Sequence, residues 1–168
     1  MMLAVQQALA GFNTAPAADV EAALLACCAS PQWARQVAAG RPYPSPDALY
    51  AAADDALAAL DDTEFSAALA GHPRIGVRAE SGSSQREQSG VAASSDETRA
   101  ALVEGNREYE ARFGHVYLVC ADGRSGDELL AVLHERLHND ATAEHAVARE
   151  ELRKINRIRL RRLIGDPA

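Results

Sequence analysis

At 168 residues the chain is long enough to bury a core of its own, and the simplest reading is a single domain over 1–168. Its apolar fraction is 48% but leans on alanine, with aromatics at only 5%, a balance that favours close-packed helices over sheets. A net charge of −7 argues against a broad nucleic-acid or anionic-membrane surface, and no run approaches the ~18 apolar residues of a membrane span.

The first 18 residues read as weakly structured, with Phe12 as an anchor onto the core. They carry no basic residue ahead of an apolar stretch, so no secretory signal is expected there. A helix follows over about 19–29, with Val20, Ala23, Leu24 and Cys27 on one stripe. Ser30-Pro31 and Ser45-Pro46 each pair a capping side chain with proline at the first helical position, so each predicts a helix start. The first of these helices stops at Gly40 and the second near Leu60; a short one over 63–70 delivers the chain to Gly71-His72. A polar loop is expected over 77–83, then a helix bearing Glu87 to about Ala93.

Ser94 with Glu97, and Ser125 with Glu128, have the spacing of capping boxes. The first opens a longer helix that Gly114 stops, the second a helix to about His138. His115 to Cys120 is the one β-like run, too isolated to imply a sheet. The last helix runs over about 143–164. Ala148, Leu152, Ile155 and Leu163 form its apolar stripe, and Arg159 lies on that stripe among them. An inward guanidinium needs a core carboxylate, a path to water or a ligand. Arg157, Arg161 and Arg162 read as a solvated face. The whole is an all-α domain of about eight or nine helices. Cys27, Cys28 and Cys120 are odd in number and form no CxxC pattern, which suits apolar fillers in a reducing, cytoplasmic compartment.

Two stretches bear chemistry. His72-Pro73-Arg74-Ile75-Gly76 presents an imidazole from a proline-stiffened turn, and Ser84, Glu87 and Gln88 share one face if their segment is helical. A histidine, carboxylate, hydroxyl and amide gathered this way suit proton transfer on a small polar molecule. His134-Glu135-Arg136-Leu137-His138 matches the zinc-protease pattern HExxH, which would make a metal hydrolase of the chain. The extended form of that pattern needs a histidine at 144, where Glu144 stands, and the apolar stripe of the helix turns both imidazoles toward solvent, so no metal site is assigned.

Together these pieces have a family resemblance. Cys28, Trp33-Ala34 and Arg41-Pro42-Tyr43 come first, followed by His72-Pro73-Arg74-Ile75-Gly76 and Ser84-x-x-Glu87-Gln88 with Gly90. Asn106-x-x-Tyr109-Glu110-x-x-Phe113-Gly114 and Arg136-Leu137-x-Asn139 lie between these and Glu151-Leu152-x-Lys154-Ile155 with Arg159-Leu160. In that order the chain resembles the 2-oxo-4-hydroxy-4-carboxy-5-ureidoimidazoline (OHCU) decarboxylases of urate breakdown. The resemblance implies a cofactor-free, all-α homodimer that acts on a small molecule, converting OHCU to (S)-allantoin and carbon dioxide. It implies catalytic roles for His72 and Glu87 and a substrate-reaching role for Arg159. Ser84 and Gln88 correspond to substrate-binding positions, as do backbone groups after Pro73 and across Val116, Tyr117 and Leu118. Phe12-Asn13 departs from a more usual Phe-Gly and leaves the packing of the N-terminal segment open. A helical scaffold that keeps the fold without the activity is the rival from outside enzymology.

Overall fold

Serine and proline punctuation sets the helix starts in the computed structural model, which describes residues 1–76 and 82–167. Ser30 accepts from the Trp33 amide and Ser45 from the Ala48 amide, and each serine precedes a proline that opens its helix. Capping of this kind satisfies a backbone N–H that the helix itself leaves unpaired.

The described residues form two compact units: Met1–Ala68 with the chain from Arg153 onward, and Leu69–Leu152. The first unit holds α1 (Met2–Thr14), α2 (Ala17–Cys27), α3 (Pro31–Ala39), α4 (Pro46–Ala58) and most of α5 (Asp62–Ala70). Here α2 packs on α3, and α3 on α4, around the fully buried Trp33, whose indole N–H donates to the Ala53 carbonyl at 3.0 Å.

The expectation of a weakly structured stretch over 1–18 is corrected by α1. Val5, Leu9 and Phe12 fall on one helical stripe and are buried, which supplies the apolar face a helix needs. The carbonyls at its end are not left bare. Arg41 Nη1 donates to the Phe12 and Ala15 carbonyls, each at 2.8 Å. Asn13, at the unusual position, pairs both ends of its amide with the backbone of Tyr43: Nδ2 donates to the carbonyl at 2.9 Å, and Oδ1 accepts from the amide at 2.8 Å.

The second unit holds α6 (Gly82–Glu87), α7 (Ser89–Ala92), α8 (Asp96–Phe113), α9 (Gly126–Arg136) and α10 (Ala141–Leu163) as far as Leu152. Of the loop expected over 77–83, residues 77–81 lie outside the described residues, while Gly82 and Ser83 open α6. The single helix expected around Glu87 is two short ones, broken at Gln88. A further correction concerns α8: its cap is Ser95, which accepts from the Thr98 amide, while the Ser94 hydroxyl donates to the Gly90 carbonyl at 3.2 Å. Ser125 caps α9 through the Glu128 amide as its spacing predicts. Gly114 ends α8 at φ 79°, a left-handed conformation that glycine takes without steric cost. His115 to Cys120 is extended, and no strand occurs among the described residues. The fold is all-α, with ten helices among those residues; α1 and the break at Gln88 account for the excess over the expected number.

Along α10, Ala148, Leu152 and Ile155 are buried as the stripe predicts, but Leu163 is 39% exposed and Ile164 is buried in its place. Arg157 and Arg161 do not form a solvated face. Both are half-buried with their guanidiniums over the Tyr50 ring, at 5.8 and 5.6 Å, and Arg157 also pairs with Asp54 at 2.5 Å. Stacking on an aromatic face buries an arginine stem without stranding its charge.

Candidate functional site

In the second unit, one core anchors the histidine turn. Ile75 from the histidine turn packs in the same cluster as Leu102 and Tyr109 of α8, Tyr117 and Val119 of the extended segment, and Leu133 of α9. Burying Ile75 at 4% exposure anchors the turn, while His72 and Pro73 before it stay half-buried, within reach of a solute. Three side chains then grip its backbone and flank. Gln88 Oε1 accepts from the Gly76 amide at 3.1 Å, Asn106 Nδ2 donates to the Ile75 carbonyl at 2.8 Å, and Glu110 holds Arg74 through two bonds of 2.5 and 3.1 Å.

Ser84 and Glu87, three residues apart on α6, are both buried, at 4% and 7% exposure, so they share a face as their spacing predicts. Gln88 is the next residue and its side chain clamps the 74–76 backbone, which ties the Glu87 helix to the His72 turn. The companion helix α7 is drawn against the backbone around Arg124. Gly90 has no room there for a Cβ, which would collide with the Arg124 carbonyl.

The extended segment joins the same core through Tyr117 and Val119. Tyr117 and Leu118 are buried and Val116 is half-buried. Arg136 Nη1 donates to the Leu118 carbonyl at 2.7 Å, so part of the backbone capacity expected for a ligand is engaged within the protein. Burial pushes the Cys120 thiol up, the Asp122 backbone pulls against this, and the negative charges of Glu151, Asp122 and Glu87 add to it.

Behind the segment is a buried charge cluster that sequence reasoning did not single out. Glu144 Oε1 accepts from Arg136 Nε at 2.8 Å, Arg136 Nη2 at 2.5 Å and the Tyr109 hydroxyl at 2.5 Å, while Oε2 accepts from Asn139 at 3.1 Å. The guanidinium lies over the Tyr117 and Tyr109 rings, at 4.9 and 5.8 Å. Burial opposes the Arg136 charge, but the hydrogen bonds it donates to Glu144 and the attraction of that carboxylate outweigh this and hold the group above its ordinary value. Tyr109, Arg136 and Asn139 stand in the family signature, but nothing in the sequence joins them to one another or to Glu144.

Arg159 belongs to the first unit. It is half-buried, and its Nη1 donates to the Cys27 carbonyl at 3.0 Å, at the C-terminal end of α2 where the helix dipole favours a cation. Burial raises the neighbouring Cys28 thiol to about 11, against smaller opposing effects from Asn156, the Ser30 backbone and the Arg159 charge.

The HExxH side chains do not converge. His134, Glu135 and His138 are all exposed, and a His138 ring nitrogen is 2.8 Å from the His134 carbonyl, while the intervening Arg136 is buried. Among the described residues, no three His, Cys, Asp or Glu side chains are placed to share an ion. A polar hollow of about 480 Å³ beside α7, lined by Gly90, Ser94, Arg124, Ser125 and Asp127 among others, contains none of the sequence-predicted site residues.

Comparison with known proteins now bears on this geometry. The OHCU decarboxylase family model matches residues 13–161. The chain belongs to the OHCU decarboxylase family.

Curated relatives agree in kind. The chain is 30% identical over 150 residues to a uric acid degradation bifunctional protein of Arabidopsis thaliana, covering 84% of this chain and 46% of that one. Over 63 residues it is 40% identical to the OHCU decarboxylase of Amia calva, covering 38% of this chain and 36% of the other. The chain spans less than half the length of these relatives. Among solved structures, a crystal structure of OHCU decarboxylase in the presence of (S)-allantoin superposes with a TM-score of 0.77 at 30% identity, covering 84% of this chain and 96% of that one. An (S)-allantoin synthase superposes at 0.72 with 18% identity, covering 95% of this chain and 53% of the other, which speaks for the fold alone.

Proposed function

We propose that this protein decarboxylates OHCU to (S)-allantoin and carbon dioxide without a cofactor, as a cytoplasmic homodimer built from a single domain. The supporting observation is the coupling in the second unit: a buried Ser84–Glu87 face is joined through Gln88 to the turn that carries His72. Family membership supplies the reaction class.

The residue types suit the chemistry. Loss of carbon dioxide leaves an electron pair on carbon, and the conjugated imine and carbonyl groups of OHCU can take it up, so the protein has only to orient, protonate and shield. His72 serves proton traffic at the hydroxyl or the new carbon, since an imidazole titrates near neutrality. Glu87 fixes the imidazole tautomer or takes part in the same transfers. Arg159 supplies a planar, fixed positive charge to an oxyanion or carbonyl of the substrate. Ser84, Gln88 and backbone groups of Pro73, Val116, Tyr117 and Leu118 hold its polar edges. Gln88 can do so with lone pairs and protons left over from its bonds to the turn.

OHCU also decays spontaneously to racemic allantoin, so the handedness of the product separates catalysis from background. Freshly generated OHCU mixed with the wild-type protein should give (S)-allantoin by circular dichroism. His72→Ala should keep its far-ultraviolet spectrum and lose about 10²–10⁴-fold in rate, the usual range for removing an acid–base group. Racemic product from the wild type would reject the activity, and a fully active His72→Ala would remove the imidazole from it.

A further inference from the structure

Asn106 is the most buried polar side chain touching the histidine turn, at 2% exposure, and it sits on the face of α8 that also carries Tyr109 and Glu110. Its Nδ2 donates to the Ile75 carbonyl at 2.8 Å across 31 residues of chain, and its Oδ1 has no hydrogen-bond partner among the described residues. Leaving one end of a buried amide unpaired costs stability, which offsets what the bond to Ile75 contributes. The bond it does make is to the carbonyl of the Ile75–Gly76 peptide, the same peptide whose amide Gln88 grips. Pro73 fixes φ beside the imidazole, Ile75 is buried in the core, and Gln88 and Asn106 engage the two polar ends of the Ile75–Gly76 peptide.

We infer that Asn106 is a positioning residue for the proposed reaction, acting on His72 through the Ile75 carbonyl and not on the substrate. The inference rests on the functional reading above. It assigns to α8 a second task besides packing: Asn106 and Glu110 hold the histidine turn, while Tyr109, between them, reaches the Glu144–Arg136 pair that holds the Leu118 carbonyl. One helix face thus sets the spacing between two segments expected to meet the same small molecule.

Two variants test it. Asn106→Asp keeps the shape and, as a carboxylate, loses the donor; Asn106→Ala loses both. The inference expects kcat on fresh OHCU to fall by about 10–100-fold in each, because a small misplacement of a reacting group has that effect. KM should stay within about threefold, since no substrate contact is removed. The optical purity of the allantoin should fall as well, which a loss confined to stability would not cause. Rates and optical purity within about twofold of wild type would overturn the inference, as would a loss confined to KM. So would failure of both variants to fold, which would make Asn106 a structural residue. The imidazole resonances of His72, read by NMR in the same samples, separate this inference from the functional reading. If the wild type proves inactive on OHCU, a shifted or broadened His72 signal in Asn106→Asp still supports the positioning role, and an unchanged one rejects it.

Discussion

Arg136 shows how the fold can bury one side chain among exposed neighbours. It is flanked by exposed Glu135 and near exposed His134 and His138, yet its own side chain is 6% exposed and its partner Glu144 is fully buried. Desolvating two charges is costly, and the pair survives because every guanidinium edge is used: Glu144 takes Nε and Nη2, and Leu118 takes Nη1. Removing one member strands the other. Arg136→Met should therefore lower the free energy of urea unfolding by about 3–5 kcal/mol, the range for breaking a buried pair. A loss below about 1 kcal/mol would mean that water reaches Glu144 and that the pair is no more than a surface contact.

At the scale of elements, α6 turns Ser84 and Glu87 inward while α7, beyond the break at Gln88, approaches the Arg124 backbone. Gln88 interrupts the helix, and Gly90 makes the close approach to the Arg124 carbonyl possible. Adding a methyl group at position 90 forces backbone to move, because the obstruction is a peptide carbonyl and not a flexible side chain. Gly90→Ala should cost about 1–3 kcal/mol in thermal or urea unfolding, as overpacking does. It should also shift backbone amide resonances around both Gln88 and Arg124. Wild-type stability with unshifted amides would show that α7 does not press on that backbone.

For the whole molecule, the linkage between proton binding and unfolding gives a further expectation. Cys28 is 1% exposed, and burial lifts its thiol from an ordinary 9.0 to about 11. Below pH 9 the thiol is protonated whether the chain is folded or not, so it contributes no pH dependence. Between about 9 and 11 the unfolded chain releases this proton and the folded chain keeps it, so the unfolded state binds fewer protons and stability falls as pH rises. In Cys28→Ala that part of the decline is absent. The stability of the wild type relative to this variant should therefore shrink across the interval, by roughly 1–3 kcal/mol. Parallel pH curves for the two proteins in urea titrations would show that the thiol ionises equally in both states.

The sequence by itself determined the helical class, most helix boundaries and the shared face of Ser84 and Glu87, because each follows from rules a few residues long. Ser30-Pro31, Ser45-Pro46 and Ser125 announce their helices through a side chain and an amide three positions on. The family signature carried the functional reading just as locally. Tertiary structure decided the rest. Whether Gln88 continues a helix or breaks it depends on the Gly76 amide, twelve residues away, and on the carbonyl of Arg124. Whether residues 1–18 are ordered depends on Arg41 and Tyr43, which complete α1 from beyond the segment. Asn106 and Arg136 stand in the family signature, but their partners Ile75 and Glu144 lie on other elements, and a hydrogen bond formed between elements cannot be read from spacing along one chain.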